Sequence, residues 1–597
     1  MLFRHEHIRK HQDSLLRDVE HAAVNGKILL AHAPTGMGKT DASIGGAIEY
    51  AYENGKTLFF LTPKISQHAI ALSVVDGINK KYGKRIKAVD IIGKRHCCTD
   101  PFISKLEHDD FYPICKLRVK EETCDYFRRA RGYTSEEQRL AYELLSRHIK
   151  VVWSQPEAFE EAKKERTCSY EWLMSAARDA DVIIADYFHI FLPGIRESFL
   201  GRSGKDIESG IIIVDEAHNL AERIRSTLSR TITSFTIARH EKEAEMLGFD
   251  PVLSQEGFDS WAEKTCKGNE SVAEFPFVID EDALGLLEHI GQMSVEKSGG
   301  NSASLRMFAF FENFNEGDNR FATILKRREK GFSLSRKLLD PSISTAILNK
   351  AHAAVLMSGT FLPLDMHAEV LGIEKHRAML RAYNSPFKAE NRLNVVVRGV
   401  TTKYSRRNDS EYKKYASLIE KIHRAIGSNI ALFFPSYEVM EGVLKHALIP
   451  NAIVQKRAMG AEEVKQLIKR FKEEKSVLCC VQGGSLSEGV DFSNGEIKVA
   501  VIVGLPLSKM SLEVELMIEY YNKKFGKGWD YAYLYPAVIK SLQAAGRAIR
   551  KESDRAVAVF MEERLMWKNY LKLLPKDQRF ILSDAPDYEI RKFFEGH

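Results

Sequence analysis

The chain has 597 residues, 44% hydrophobic and 28% charged, with a net charge of +6. Such values suit a globular protein of roughly two to four domains and exclude a disordered or fibrous one. No apolar run reaches the roughly 20 residues of a membrane span, and the N-terminal Met1-Leu2-Phe3-Arg4-His5 lacks a signal's apolar core, so a cytoplasmic location is expected. The small positive excess permits a polyanionic partner without requiring one.

In chain order, Lys27–His32 reads as a short apolar strand. It runs into Ala33-Pro34-Thr35-Gly36-Met37-Gly38-Lys39-Thr40 and then a helical pattern through Ile44, Ala47 and Ile48. Strand, glycine loop and helix is the context of a phosphate-binding loop. There Gly36, Met37 and Gly38 would turn backbone N–H groups onto phosphates, Lys39 would neutralise them, and the Thr40 hydroxyl would sit on Mg²⁺. A second strand, Thr57–Leu61, leads to Thr62, Pro63 and Gln67, and a third, Val182–Ile184, leads to Asp186, Tyr187, Phe188 and Arg196. Tyr187 and Phe188 could stack on bases or pack in the core, and Arg196 is a candidate phosphate contact.

A further strand, Ile211-Ile212-Ile213-Val214, ends in Asp215-Glu216-Ala217-His218. Acidic groups at the C-terminal edge of a buried strand suit Asp215 as a Mg²⁺ ligand and Glu216 as the group orienting the attacking water. Downstream come Ser358-Gly359-Thr360, the run Gly483 to Phe492, and Gln543-Ala544-Ala545-Gly546-Arg547-Ala548-Ile549-Arg550.

In this order, these segments resemble the motifs of superfamily-two helicases. The resemblance implies an α/β fold with two RecA-like parallel-sheet ATPase domains sharing one ATP. It also implies that Gln543, Arg547 and Arg550 act on the γ-phosphate from the second domain, with Gly489 and Asp491 beside the nucleotide and Gln12 reading the adenine. Arg547 and Arg550 are about one helical turn apart and share a face. Thr62, Gln67, Ser485 and Ser487 become sequence-blind contacts to a nucleic-acid backbone, and binding should weaken steeply with salt.

Lys39 and Asp215 are 176 positions apart, and His218 and Ser358 are 140 apart. RecA-like domains link such strands far more briefly, so two insertions are expected in the first domain. The first holds Cys97, Cys98, Cys115, Cys124 and Cys168; from Cys98 the steps are 17, 9 and 44. That spacing is unlike a zinc ribbon and by itself leaves a metal site or buried thiols open. Cys266, Cys479 and Cys480 read as buried apolar residues. The second insertion carries helical patterns and a run from Met307 to Phe314 that reads as core.

Taken together, the segments resemble the XPD branch of these helicases, with DinG, FANCJ and RTEL among its relatives, and an archaeal member of it in particular. The resemblance implies a [4Fe–4S] cluster on Cys98, Cys115, Cys124 and Cys168, Cys98 being preferred to Cys97 by its place in the Lys-Arg-x-x-Cys segment, and a mainly helical arch in the second insertion. The expected organisation is helicase domain 1 in three parts (1–88, 182–229 and 346–380), an iron–sulfur domain (89–181), an arch (230–345) and helicase domain 2 (381–597). The implied activity is ATP-driven 5′→3′ movement on single-stranded DNA and unwinding of forked or bubble duplex in nucleotide excision repair. The chain would act as a nucleoid-associated monomer, with repair proteins as possible partners. An ATP-gated scaffold in a repair or transcription assembly, or an RNA helicase, are the competing readings.

Overall fold

The computed structural model describes the chain except residues 299, 313–316, 428, 475, 485–491, 493–495, 550–553 and 597, and the side chains of 108, 109 and 461. Ser485, Ser487, Gly489, Asp491, Arg550 and Phe314 therefore lie outside the described residues.

The first half of the chain builds strands β1 (Ile28–His32), β2 (Leu58–Leu61), β3 (Ala88–Ile91), β4 (Val152–Trp153), β5 (Val182–Ala185) and β6 (Ile211–Val214). These are followed by β7 (Arg230–Thr233), β8 (Glu270–Val272), β9 (Phe321–Arg327), β10 (Phe332–Leu338), β11 (Ala353–Ser358) and β12 (Ala378–Ala382). Eight of them form one sheet in the order β12-β1-β11-β6-β2-β5-β3-β4, and every pairing in it is parallel. Parallel strands are covered by helices on both faces, which is why β1, β2, β5, β6 and β11 are near-continuous apolar runs. Successive residues serve opposite faces. Leu30, Phe59, Ile183 and Ile212 join one core, while Leu29, Phe60, Ile184 and Ile213 join the other.

The chain leaves this sheet twice. Between β3 and β5 it forms the helices His108–Lys120, Asp125–Arg131, Ser135–Ser146, Gln155–Lys164 and Ser169–Arg178. Capping boxes open two of them, through Thr134 with Glu137 and Ser154 with Glu157. β4 extends the first sheet beside β3, and Trp153, Ala158 and Trp172 pack into that sheet's core.

Between β6 and β11 the second excursion is largely helical, through Ser234–Leu247, Gln255–Thr265, Glu281–Ser298 and Ala303–Phe311, but not helical alone. It contains a four-stranded antiparallel sheet, β7-β10-β9-β8. The hairpin Phe321–Leu338 has period-two alternation around Gly331, a strand signal that the neighbouring helical patterns mask. The helices of this excursion lie on the sheet around Phe258, Phe275, Met307, Phe310 and Phe311, so the aromatic run serves the core. The two excursions also touch. Asp110 accepts hydrogen bonds from the backbone N–H groups of Asn301 (2.6 Å) and Ser302 (3.0 Å), while Ile103 and Ile114 pack on Val295 and Leu305.

The second half forms β13 (Arg392–Val397), β14 (Ile430–Phe434), β15 (Ala452–Val454), β16 (Val477–Val481), β17 (Val499–Val503), β18 (Ala556–Met561) and β19 (Phe580–Ser583). They make a seven-stranded sheet in the order β15-β16-β14-β17-β18-β13-β19, again parallel throughout. Cys479 and Cys480 are interior residues of β16, and Cys266 is buried in the antiparallel region, as expected of apolar side chains. Among the described residues no helix is long and apolar enough to cross a membrane.

Candidate active site

Strand ends converge at one edge of the first sheet. The N–H of Ala33 donates to Ser358 O (2.9 Å), that of Asp215 to Leu61 O (2.9 Å), and that of Thr62 to Ala185 O (3.0 Å). The loops carrying the glycine motif, the acidic pair and Ser358-Gly359-Thr360 are thereby stitched together just beyond the ladder.

In the glycine loop Gly36 and Gly38 hold φ of 87° and 77°, values that suit glycine because a side chain there is strained. Gly38 caps the helix Lys39–Glu53, directing its N-terminal dipole into the cleft. Gln12 braces the loop from outside. Its Nε2 donates to Gly38 O (3.0 Å) and its Oε1 accepts from Arg9 N (2.9 Å), while Arg9 Nη1 donates to Gly36 O (2.9 Å). Gln12 is 2% exposed, and the contacts its side chain makes here shape the loop. Met37 is likewise buried and contributes backbone rather than side chain.

Asp215 lies beside Glu216 and is almost wholly buried. Burial first, and then the charge of Glu216, push its carboxyl up to about 7, with Lys39 opposing them. Burial also acts against ionised Glu216, but the charges of His218, Lys39, Lys64 and Arg547 outweigh it and hold this carboxyl below its usual range. His218 is driven down to about 4, chiefly by burial, and is neutral near pH 7. The buried Asp215 carboxyl and the half-buried Glu216 carboxyl beside it form a site that a divalent cation would complete. Thr40 and Asp215 are oxygen donors of the kind Mg²⁺ takes together with nucleotide phosphates and water.

A polar chain runs from the acidic pair to the second sheet. His218 Nδ1 meets Ser358 Oγ at 2.6 Å, Thr360 N donates to the same oxygen at 3.2 Å, and Gln543 Nε2 donates to Thr360 Oγ1 at 3.0 Å. Gln543 belongs to the helix Tyr535–Ala545 of the second half. The two halves therefore enclose a cleft of about 1030 Å³, with Thr35, Lys39, Glu216, His218 and Thr360 on one wall and Gln543, Gly546 and Arg547 on the other. Arg547 is near enough for its charge to act on Glu216 and His218.

Sequence reasoning missed Phe387 and Arg392, which line the same cleft. The Phe387 ring sits so close to Gly36 that a Cβ there would lie 2.5 Å from it. Burial lowers Arg392 to about 10 against the pull of Asp577. Neither residue belongs to a short pattern that marks nucleotide chemistry.

Of the expected nucleic-acid contacts, Gln67 and Phe188 line the cleft, and Arg196 is half-buried with Nη1 on Ile190 O at 3.2 Å. Two others are corrected. Thr62 is fully buried and its hydroxyl reaches no strand. Tyr187 is also fully buried, its hydroxyl donating to Asp215 O, so it packs rather than stacks on bases.

The second half displays an aromatic and basic surface that no motif announced. Tyr404 is 73% exposed and Trp529 52%. Arg407 lies 5.6 Å from the Tyr404 ring, and Tyr533 lies 4.7 Å from Trp529. The charges of Arg564 and Arg407 both act on Tyr533, which draws these side chains into one patch. Glu562 anchors it, paired with Arg564 through two 2.7 Å bonds and accepting from Thr401 Oγ1 (2.7 Å) and Thr402 N (3.0 Å) at the root of the Tyr404 loop.

The cysteines separate in space. Cys98, Cys115, Cys124 and Cys168 line one small cavity together with Lys94, Asp100 and Tyr126. Cys97 turns away into the first core, its Sγ 3.9 Å from Ile92 O. Burial first, and with it the neighbouring thiols Cys115 and Cys124, push Cys98 up to about 12 against the Asp100 backbone hydrogen bond, and burial raises Cys124 and Cys168 as well. Four converging soft donors whose thiolates are disfavoured fit a cationic iron–sulfur centre in their chemistry. As the side chains stand, no group of three or more His, Cys, Asp or Glu residues is close enough to hold a metal ion, among the described residues.

Comparison with known proteins agrees with this layout. The family model DEAD_2 matches residues 63–237, and the model described as Helicase C-terminal domain matches 419–579. The ATP-dependent DNA helicase XPD of Sulfolobus acidocaldarius is 26% identical over 78% of this chain and 89% of its own length. The general transcription and DNA repair factor IIH helicase subunit XPD/RAD3 of Saccharomyces cerevisiae is 21% identical over 98% of this chain and 89% of its own. A solved XPD helicase superposes with a TM-score of 0.70 at 22% identity, covering 97% of this chain and 100% of that one, and so shows the same fold with two RecA-like domains. With one helicase model on each half, and with both halves contributing to a single cleft, the chain belongs to the XPD family of helicases.

Proposed function

We propose that the chain is an ATP-dependent DNA helicase that moves 5′→3′ on single-stranded DNA and opens forked or bubble duplex during nucleotide excision repair, as a nucleoid-associated monomer. The observation that carries the reading is the shared cleft, in which Lys39 and Glu216 face Arg547 and Gln543 bonds Thr360 across it. Relatives called ATP-dependent DNA helicases support the activity, and the polarity and repair role rest on the family likeness. Lys39 holds the phosphates, Glu216 orients water, and Arg547 stabilises charge on the leaving group. Mg²⁺ on Thr40 and Asp215 would neutralise phosphate oxygens. Closure of the cleft would alternate the grip of the two halves on a strand running past Gln67 and Phe188 and over Tyr404 and Trp529. Strand displacement on forks bearing only a 5′ or only a 3′ single-stranded arm tests the reading. Unwinding from the 5′ arm is expected. ATPase without displacement would favour a scaffold, and stimulation by RNA alone would favour an RNA helicase.

The Trp529 patch offers exposed aromatic faces, with the Arg407 guanidinium beside Tyr404, an arrangement that stacks bases without reading them. Base stacking is worth about 1–3 kcal/mol per base, so W529A should weaken single-strand binding by roughly tenfold. Nucleotide affinity should hold. Fluorescence anisotropy with labelled oligonucleotide at fixed salt checks both quantities, and unaltered binding removes the patch from the strand path.

We further propose that Cys98, Cys115, Cys124 and Cys168 hold a [4Fe–4S] cluster, which when bound ties four distant segments into a rigid wedge. The boundaries 89–181 for that domain and 230–345 for the arch go with this proposal. Cys98→Ser should lose iron and the associated visible absorbance. Cys97→Ser should keep both, because its side chain belongs to the core. Equal iron in the two variants would overturn the ligand set.

A further inference from the structure

Glu216 is the residue on which water activation rests, and its backbone is unusual. It holds φ 50° and ψ 40°, a left-handed conformation that a side chain with a Cβ seldom adopts. Such a conformation persists only where the surroundings over-determine it, and it recurs at functional sites. Here both backbone groups of the residue before Glu216 are held. The N–H of Asp215 donates to Leu61 O at 2.9 Å. The ladder from β6 to β11 and to β2 ends at Val214, so the Asp215 carbonyl lies past the reach of the neighbouring strands. It is buried, and the hydroxyl of Tyr187 donates to it.

Tyr187 is well placed to sense the strand. It is fully buried at the end of β5 and sits edge-on to Phe191 at 6.4 Å. The next residue, Phe188, lines the cleft beside Gln67 and Arg223. Phe188 is fixed in the same turn, its N–H donating to Asp186 Oδ1 at 3.0 Å, and the N–H of Phe191 donates to Tyr187 O at 2.9 Å. Phe188 and Tyr187 are thus adjacent residues of one turn, the first at the cleft and the second bonded to the Asp215 carbonyl.

We propose that Tyr187 is a positioning residue that fixes the Asp215–Glu216 peptide in its left-handed turn and transmits strand engagement at Phe188 to the water-activating carboxylate. This proposal rests on the helicase reading above. Loss of the hydroxyl removes one buried hydrogen bond while leaving the ring in its core, so the turn loosens without a cavity. Glu216 then spends less time oriented for attack, which acts on turnover rather than on binding.

The test uses the full chain with saturating single-stranded DNA. Y187F should lower kcat for ATP hydrolysis about tenfold, with the KM for ATP and the Kd for single-stranded DNA each within about twofold of wild type. Incorporation of 3,5-difluorotyrosine at position 187 retains the donor and should restore kcat to near wild type. The proposal is overturned by a Y187F protein with normal kcat, by a loss confined to KM or Kd, or by a difluorotyrosine protein as slow as Y187F. E216Q serves as the reference for lost chemistry. A wild type without ATP turnover would overturn the helicase reading and this one with it, whereas normal turnover in Y187F beside an inactive E216Q overturns this one alone.

Discussion

Lys39→Ala lowers ATP turnover by about a thousandfold and leaves single-strand affinity within about twofold. The basis is the loop's geometry. Gly36 and Gly38 hold backbone turned for phosphate, and Lys39 is the first residue of the helix behind them, reaching the cleft beside Asp215 and Glu216. Phosphoryl transfer leaves the protein little covalent chemistry, so placing positive charge on the transferred group accounts for most of the catalysis. Alanine removes that charge and leaves the carboxyl pair facing phosphate with less compensation. The surfaces assigned to the strand, at Gln67 and Phe188 and around Trp529, stay as they were. Phosphate release at saturating ATP and anisotropy with a labelled oligonucleotide separate the two effects. Normal turnover in K39A would remove the loop from the nucleotide site. A parallel fall in both quantities would mean that nucleotide and strand share Lys39.

Much of this site was legible because its elements are short and local. The runs before Lys39, Asp215 and Ser358 are interior parallel strands, so their hydrophobicity is continuous and their ends are marked by glycine or by charge. Where a side chain faces once the strand has ended was far less legible. Thr62 and Tyr187 follow strands just as Asp215 does, yet both point into the interior, because that depends on the turn leaving the strand and on what packs over it. The adjacent thiols of Cys97 and Cys98 part company at the 3₁₀ turn Lys94–Cys97, which sends one to the core and the other to the cavity. Residues such as Tyr404 and Trp529 escape any short-range pattern, since they lie 125 positions apart and are brought together by the second sheet. The antiparallel hairpin Phe321–Leu338 was missed for a plainer reason, its alternation being set among strong helical patterns.

Arg547→Ala tests the cleft from its other wall, and the expected result is a fall in kcat of about a thousandfold or more, with ATP affinity reduced far less. Arg547 follows the helix Tyr535–Ala545, whose Gln543 is bonded to Thr360 of the first half. The contact that joins the two halves would thus deliver the arginine to a bound nucleotide. Its charge already acts on Glu216 and His218 across the cleft. A guanidinium fork brought to the γ-phosphate favours the transition state more than the ground state, which is why the loss appears in kcat. Lysine keeps the charge but not the fork, so R547K should recover only a small part of the rate. Substitution of Gln543 by alanine breaks the Thr360 bond without removing the charge, and should slow turnover less while weakening the coupling between strand binding and hydrolysis. Single-turnover hydrolysis with pre-bound ATP reads the chemical step directly. If R547A hydrolysed bound ATP at the wild-type rate, the second half would have no part in the chemistry, and a motor driven by closure of this cleft would have to be abandoned.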